Sequence, residues 1–82
     1  NRQMDPALLE LDVGEQTPEE EPHEGEEFGF VLYGAVELTL GGKSYKIKKG
    51  ECFYFKASKK HCLTNTRNNR AGVLWVSSPP NF

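Results

Sequence analysis

The chain has 82 residues, with 12 acidic against 10 basic side chains and a net charge of −2, which excludes a domain that grips a phosphate backbone by itself. Its only cysteines, Cys52 and Cys62, exclude a disulfide framework, and at this length one core buries only about 60–65% of the unfolded surface, so pairing with a second copy is the expected reinforcement. No apolar stretch is long enough to cross a bilayer, and two isolated thiols without an apolar leader predict a cytoplasmic protein.

The chain opens Asn1-Arg2-Gln3-Met4, so residues 1–6 read as a flexible, tag-derived or linker lead-in, or the chain is a piece of a longer one. Residues 7–13 predict a strand with Leu9, Leu11 and Val13 on one face, ended by Gly14; Pro6 disfavours a long helix there. Residues 15–27 are dense in glutamate and broken by Pro18, Pro22 and Gly25. They predict a long loop with a short extended piece, and loops of this length are usually functional or mobile.

Residues 28–40 carry the strongest strand signal. Phe28, Phe30 and Leu32 share one parity, which Val36, Leu38 and Leu40 continue past Gly34. Gly41-Gly42 supplies the positive φ that a two-residue hairpin demands, and the alternating residues 44–48 return as the partner strand. After Gly50, residues 52–55 and 61–64 read as short strands joined by a polar connector. Residues 65–72 are turn-prone, 73–76 make the last strand, and Pro79-Pro80 end regular structure. Short strands at close spacing, without sustained helical periodicity, predict an all-β sandwich or barrel.

Chemistry centres on the two histidines. Glu21 and His23 share parity on an extended chain, with Cα atoms about 6.6 Å apart. Glu27 would lie roughly 13 Å from His23 on a straight strand, too far for joint ligation; a bend at Gly25 would fold it back, and a second strand bearing His61 would complete the group. Two imidazoles and one carboxylate form the facial set that suits iron, with manganese, nickel or zinc also served, and Glu21 would add a fourth oxygen. Tyr33 and Tyr54 are the candidates for a pocket hydroxyl or a general acid. Phe28, Phe30, Phe53, Phe55 and Trp75 read as core, one or two of them lining a cavity. Lys46, Lys48 and Lys49 read as a solvated strand face, Asn65 as a turn residue, and Cys52 and Cys62 as inert buried thiols.

The stretch Glu21-x-His23-x3-Glu27-x6-Gly34 resembles the first motif of the cupin family, usually two histidines, a glutamate and a glycine, with Glu21 standing where the first histidine is usual. Gly50-x5-Lys56-x-Ser58-x2-His61-x3-Asn65 resembles the second, with Lys56 and Ser58 where proline and glycine are usual. The resemblance implies a single all-β domain over 1–82, a double-stranded β-helix or jelly-roll barrel, with motifs at 21–34 and 50–65. The wording of 23–32 and of the tail 73–82 is similar to one subgroup, in which the barrel follows a helix-turn-helix segment in bacterial regulators of the Xre type. That likeness implies a dimeric sensor domain for a small-molecule effector, bound near His23, Glu27, His61, Tyr33 and Tyr54. The DNA-binding part would lie outside this chain, which would make no nucleic-acid or membrane contact of its own. The alternative is a small metal-dependent enzyme of oxygenase or isomerase type with His23, Glu27 and His61 as ligands, and a third reading is a scaffold barrel with a vestigial site. A shortage of general acids and bases favours sensing.

Overall fold

The computed structural model describes residues 4–78, which form seven strands: β1 (Asp5–Leu11), β2 (Glu26–Tyr33), β3 (Ala35–Leu40), β4 (Lys43–Lys48), β5 (Cys52–Lys56), β6 (His61–Thr64) and β7 (Ala71–Ser78). They build a four-stranded sheet in the order β1-β7-β2-β5 and a three-stranded sheet in the order β4-β3-β6, with every paired strand antiparallel. Among the described residues there is no helix, and so none long and apolar enough to cross a membrane. Residues 1–3 and 79–82, including most of the expected lead-in and the Pro79-Pro80 stop, lie outside the described residues. Asp5 and Pro6, assigned above to the lead-in, are already paired in β1 with Ser77 and Val76.

The two sheets close face to face on Leu11, Val31, Val36, Leu38, Phe53, Phe55, Leu63 and Val73. In β3 the expected parity holds, with Val36 and Leu38 buried. In β2 it is reversed: Glu27, Gly29 and Val31 point in, whereas Phe28 and Leu32 are exposed. The strand pattern 28–32 could not reveal this, because the inward row substitutes a glutamate and a glycine for apolar residues. Parity changes between β2 and β3 at a register shift after Val31 and at Gly34, whose φ of 75° is left-handed and whose Cβ would sit 2.5 Å from the Arg70 carbonyl. Only glycine fits that corner.

Gly29 is needed for space. It lies opposite Phe53 on β5 and Trp75 on β7, and those two rings meet across it with centroids 5.3 Å apart. A side chain at Gly29 would occupy the place of the Phe53 ring. The hairpin forms as expected, with Leu40 opposite Lys43 and Gly41 at φ 62°, the positive first position of a II′ turn.

Strand alternation leaves the outer face of the four-stranded sheet apolar. Pro6, Val76, Phe28 and Tyr54 lie in one cross-strand row, and Leu8, Leu74, Phe30 and Cys52 in the next. Cys52, expected to be buried, is therefore exposed; Cys62 is buried, and both are free thiols. Val13, expected to share a strand face with Leu9 and Leu11, lies beyond the end of β1 and is exposed.

The acidic segment 12–25 is stitched to the edge of β6. Thr17 N donates to Leu63 O (2.9 Å), Leu63 N to Thr17 Oγ1 (2.9 Å), and Glu20 and His61 exchange both backbone hydrogen bonds (2.9 and 3.1 Å). Fully buried Asn65 anchors the start of this run: its Nδ2 donates to Leu11 O and Asn69 O, and its Oδ1 accepts from Arg67 N. That matches the turn role expected of it.

Gly29→Ala would overpack the aromatic row and cost about 1–3 kcal/mol. For a domain of this size a drop in Tm on the order of 10 °C is expected in a thermal melt, whereas Gly42→Ala, with open space around it, should change Tm far less.

Candidate metal centre

Four side chains from three parts of the chain converge inside one end of the barrel. Glu20 and His23 come from the stitched segment, Glu27 from β2 and His61 from the first position of β6. One donor atom from each lies within 4.8 Å of the other three. His23 is steered in by its backbone N, which donates to Ala57 O at 2.8 Å, while Ala57 N donates to Gly25 O at 3.0 Å. Gly25 makes the expected bend with φ 122°, and this returns Glu27 to within 3.4 Å of His23 (Oε2 to Nε2).

The backbone selects the tautomer of both neutral rings. His23 Nδ1 lies 2.9 Å from Glu24 O, and His61 Nδ1 lies 2.9 Å from Lys59 O. A carbonyl oxygen only accepts, so Nδ1 carries the proton in each ring and the neutral imidazole turns a bare Nε2 lone pair into the site. Both Nε2 atoms are buried and make no hydrogen bond among the described residues. An orphaned polar atom in a protein interior is costly, and here two face each other, with rings in edge contact at 5.4 Å.

Glu27 supplies the buried carboxyl group. It is 1% exposed. Its Oε1 accepts from Trp75 Nε1 (2.5 Å) and Ser77 Oγ (2.7 Å), both on β7. Its Oε2 is left facing His23 Nε2 at 3.4 Å and His61 Nε2 at 4.0 Å. Glu20 Oε1 closes the ring at 3.7 Å from His23 Nε2 and 3.5 Å from His61 Nε2. An ion with bonds of about 2.1 Å holds its ligands roughly 3.0–4.2 Å apart in tetrahedral or octahedral arrangements, so these separations fit one ion with small adjustment. The donor set, nitrogen and oxygen without sulfur, suits a divalent transition metal.

A chamber of about 200 Å³ adjoins the cluster, lined by Leu9, Thr17, Pro18, Trp75 and Ser77, with Glu20 and His61 at its edge. Its walls are mostly apolar with a few convergent polar groups, the usual character of a small-molecule pocket.

His23, Glu27 and His61 are thus brought together as the sequence suggested. Glu21 is not. It is 73% exposed and its carboxylate lies 3.8 Å from Lys60 Nζ, because Pro22 interrupts the straight alternation on which its inward placement was based. Glu20 takes the place, held by its backbone ladder to His61. Tyr33 and Tyr54 also lie outside the site. Their hydroxyls donate to Glu10 and Glu26 on the exterior, and this, followed by desolvation, raises both phenols above their ordinary pKa. Of the five aromatic residues expected in the core, Phe53 and Phe55 are there, Trp75 borders the chamber, and Phe28 and Phe30 lie on the outer face. The sequence reading missed Glu20, Ser77 and the polar role of Trp75, which it gave only as one of five aromatic residues of which one or two would line a cavity. A signal existed for the last two, since they share the parity of Val73 and bring an N–H and an O–H to one side of a strand.

With two twisted sheets closing around an inward-facing histidine and glutamate cluster, the architecture is a double-stranded β-helix barrel. The family model described as "Cupin domain" matches residues 7–77, and the chain belongs to the cupin family. It is 30% identical over 69 residues to the HTH-type transcriptional regulator PuuR of Escherichia coli, covering 84% of this chain and 37% of that protein. The chain thus spans little more than a third of that relative. The Cupin_2 domain of an XRE family transcriptional regulator from Enterobacter cloacae superposes with a TM-score of 0.85 at 21% identity, covering 96% of this chain and 84% of the other. A predicted oxalate decarboxylase from Thermotoga maritima gives 0.83 at 23%, covering 92% and 65%. At those identities the two structures bear on fold alone.

Because Trp75 and Ser77 set which Glu27 oxygen faces the histidines, Ser77→Ala and Trp75→Phe should each weaken Zn²⁺ or Ni²⁺ binding by about 10-fold or more in calorimetric titration. Glu21→Gln should leave the affinity unchanged.

Proposed function

We propose that this domain is the small-molecule-sensing part of a bacterial transcription regulator, acting in the cytoplasm as a pair, with its DNA-binding part outside this chain. It would bind one divalent transition metal (iron, manganese, nickel or zinc) through Glu20, His23, Glu27 and His61, and a compact effector in the adjoining chamber. The observation that carries the metal reading is the pair of buried Nε2 atoms, each presented by a backbone-fixed Nδ1–H and lacking a hydrogen bond among the described residues. The likeness to PuuR and to the XRE-family domain supports the regulatory role.

When bound, the metal would supply positive charge and open positions for a donor group of the effector. The chain's own residues do the rest. Trp75 and Ser77 hold Glu27 oriented, Phe55 packs on the His61 ring at 5.0 Å, and Leu9 and Pro18 exclude water from the effector's apolar part. An effector that fills the chamber contacts β1, β7 and the stitched segment together, so it would favour one arrangement of these elements over another.

A metal-dependent enzyme is the second reading, and one feature favours it. Glu20, half-exposed at the mouth, is a carboxylate placed to exchange a proton with a bound substrate.

Elemental analysis of purified protein should find about one transition metal per chain, lost in His61→Ala. Metal added at 100 times its Kd should stabilise the metal-stripped wild type by about 2.7 kcal/mol. A wild type that neither retains metal nor shifts its Tm on titration would remove the metal reading. Turnover of a small metabolite, rather than saturable binding without reaction, would favour the enzyme.

A further inference from the structure

The chamber beside the metal cluster offers its ligand an uneven set of polar groups. Trp75 and Ser77, both on its wall, have spent their single hydrogens on Glu27 Oε1, at 2.5 and 2.7 Å. Ser77 Oγ therefore presents lone pairs alone to the chamber. His61 Nε2 and the Glu20 carboxylate at its edge are acceptors as well. Thr17 differs from all of these. Its Oγ1 accepts from Leu63 N at 2.9 Å, and a backbone N–H only donates, so the hydroxyl hydrogen is left for another partner. No acceptor takes that hydrogen among the described residues.

Half-buried Thr17 stands at a set distance from the cluster. It is bonded to Leu63, and Glu20 to His61, so the two stations follow the spacing of β6, where residues two apart are separated by about 6.6 Å. Apolar wall lies between them, from Leu9, Pro18 and the Trp75 ring. The volume of about 200 Å³ is roughly that of seven liquid waters, too small for a drug-sized molecule. Among the described residues that line it there is no lysine or arginine to balance a negative charge at the Thr17 end.

We infer that Thr17 sets the specificity of the chamber: its hydroxyl donates to an uncharged acceptor oxygen on a compact ligand, roughly 6–7 Å from the end that reaches the metal. This rests on the reading of the chamber as an effector site and adds the chemical class of the ligand. That class is a short chain with a metal-binding head and a hydroxyl, ether or carbonyl oxygen at its far end. An apolar far end would displace water and leave the Thr17 hydrogen unpaired, and a carboxylate would be buried without a cation beside it.

Two hydroxamates of equal size test this by calorimetric titration of the Ni²⁺-loaded domain. 3-Hydroxypropanohydroxamate should bind about 10-fold tighter than butanohydroxamate, which has a methyl group in place of the terminal hydroxyl. Thr17→Val should bring that ratio close to one, and Thr17→Ser should keep it. If Thr17 served only to hold its segment on β6, Thr17→Val would weaken both probes alike and leave the ratio unchanged, which overturns the inference. Where Thr17→Val fails to fold for want of its bond to Leu63, the ratio in the wild type and its retention in Thr17→Ser decide. Equal binding of both probes by the wild type overturns this inference and leaves the effector reading standing. A domain that takes up no Ni²⁺, or takes it up and binds neither probe, overturns both.

Discussion

The carboxylate of Glu27 is taken out of water on the inner face of a four-stranded sheet, among Phe55, Trp75 and the two imidazoles. Burying an ionised group costs several kcal/mol unless it is hydrogen-bonded and paired, and the surrounding architecture meets that demand from one side. β7 lies beside β2 in a register that sets Ser77 opposite Glu27 and Trp75 two pairs further on, so two donors reach the same oxygen. Both Nε2 atoms have no hydrogen-bond partner among the described residues, and the second oxygen faces them at 3.4 and 4.0 Å. The interior is therefore satisfied on the sheet side and electrostatically incomplete on the mouth side, which is the condition that attracts a cation.

The remaining structure can be understood as holding that asymmetry in place. The acidic segment would be a solvated loop if it stood alone. Its ladder to β6, its Thr17 hydroxyl and its anchor at Asn65 turn it into an additional edge, and this edge brings Glu20 and His23 to the site. Asn65 does this at a distance: it contributes no ligand, yet it fixes where the segment leaves β1.

The strands that hold Glu27 also form the apolar exterior. Glu27 points in and Phe28 out; Trp75 and Ser77 point in while Leu74 and Val76 point out. One strand pair thus separates the site from the outer face by the thickness of a single sheet.

How much of this was legible follows from how local each cause is. The strand content, the Gly41-Gly42 hairpin and the bend at Gly25 are set by turn chemistry, a property of neighbouring residues, whereas the grouping of His61 with His23 and Glu27 was implied by the resemblance to the two cupin motifs. The inward parity of β2 was not legible, because a core row reading Glu27, Gly29, Val31 looks polar until Phe53 and Trp75 are seen to fill the space over Gly29. The choice of Glu20 over Glu21 was not legible either: alternation predicts orientation only while the chain stays extended, and Pro22 breaks it. By itself, the sequence determined that this chain is an all-β barrel with a histidine and glutamate group near one acidic segment. Only the tertiary structure decided which carboxylates enter, which nitrogens are bare and which sheet face is left apolar. Those depend on registers between strands far apart in the chain, and no local pattern encodes them.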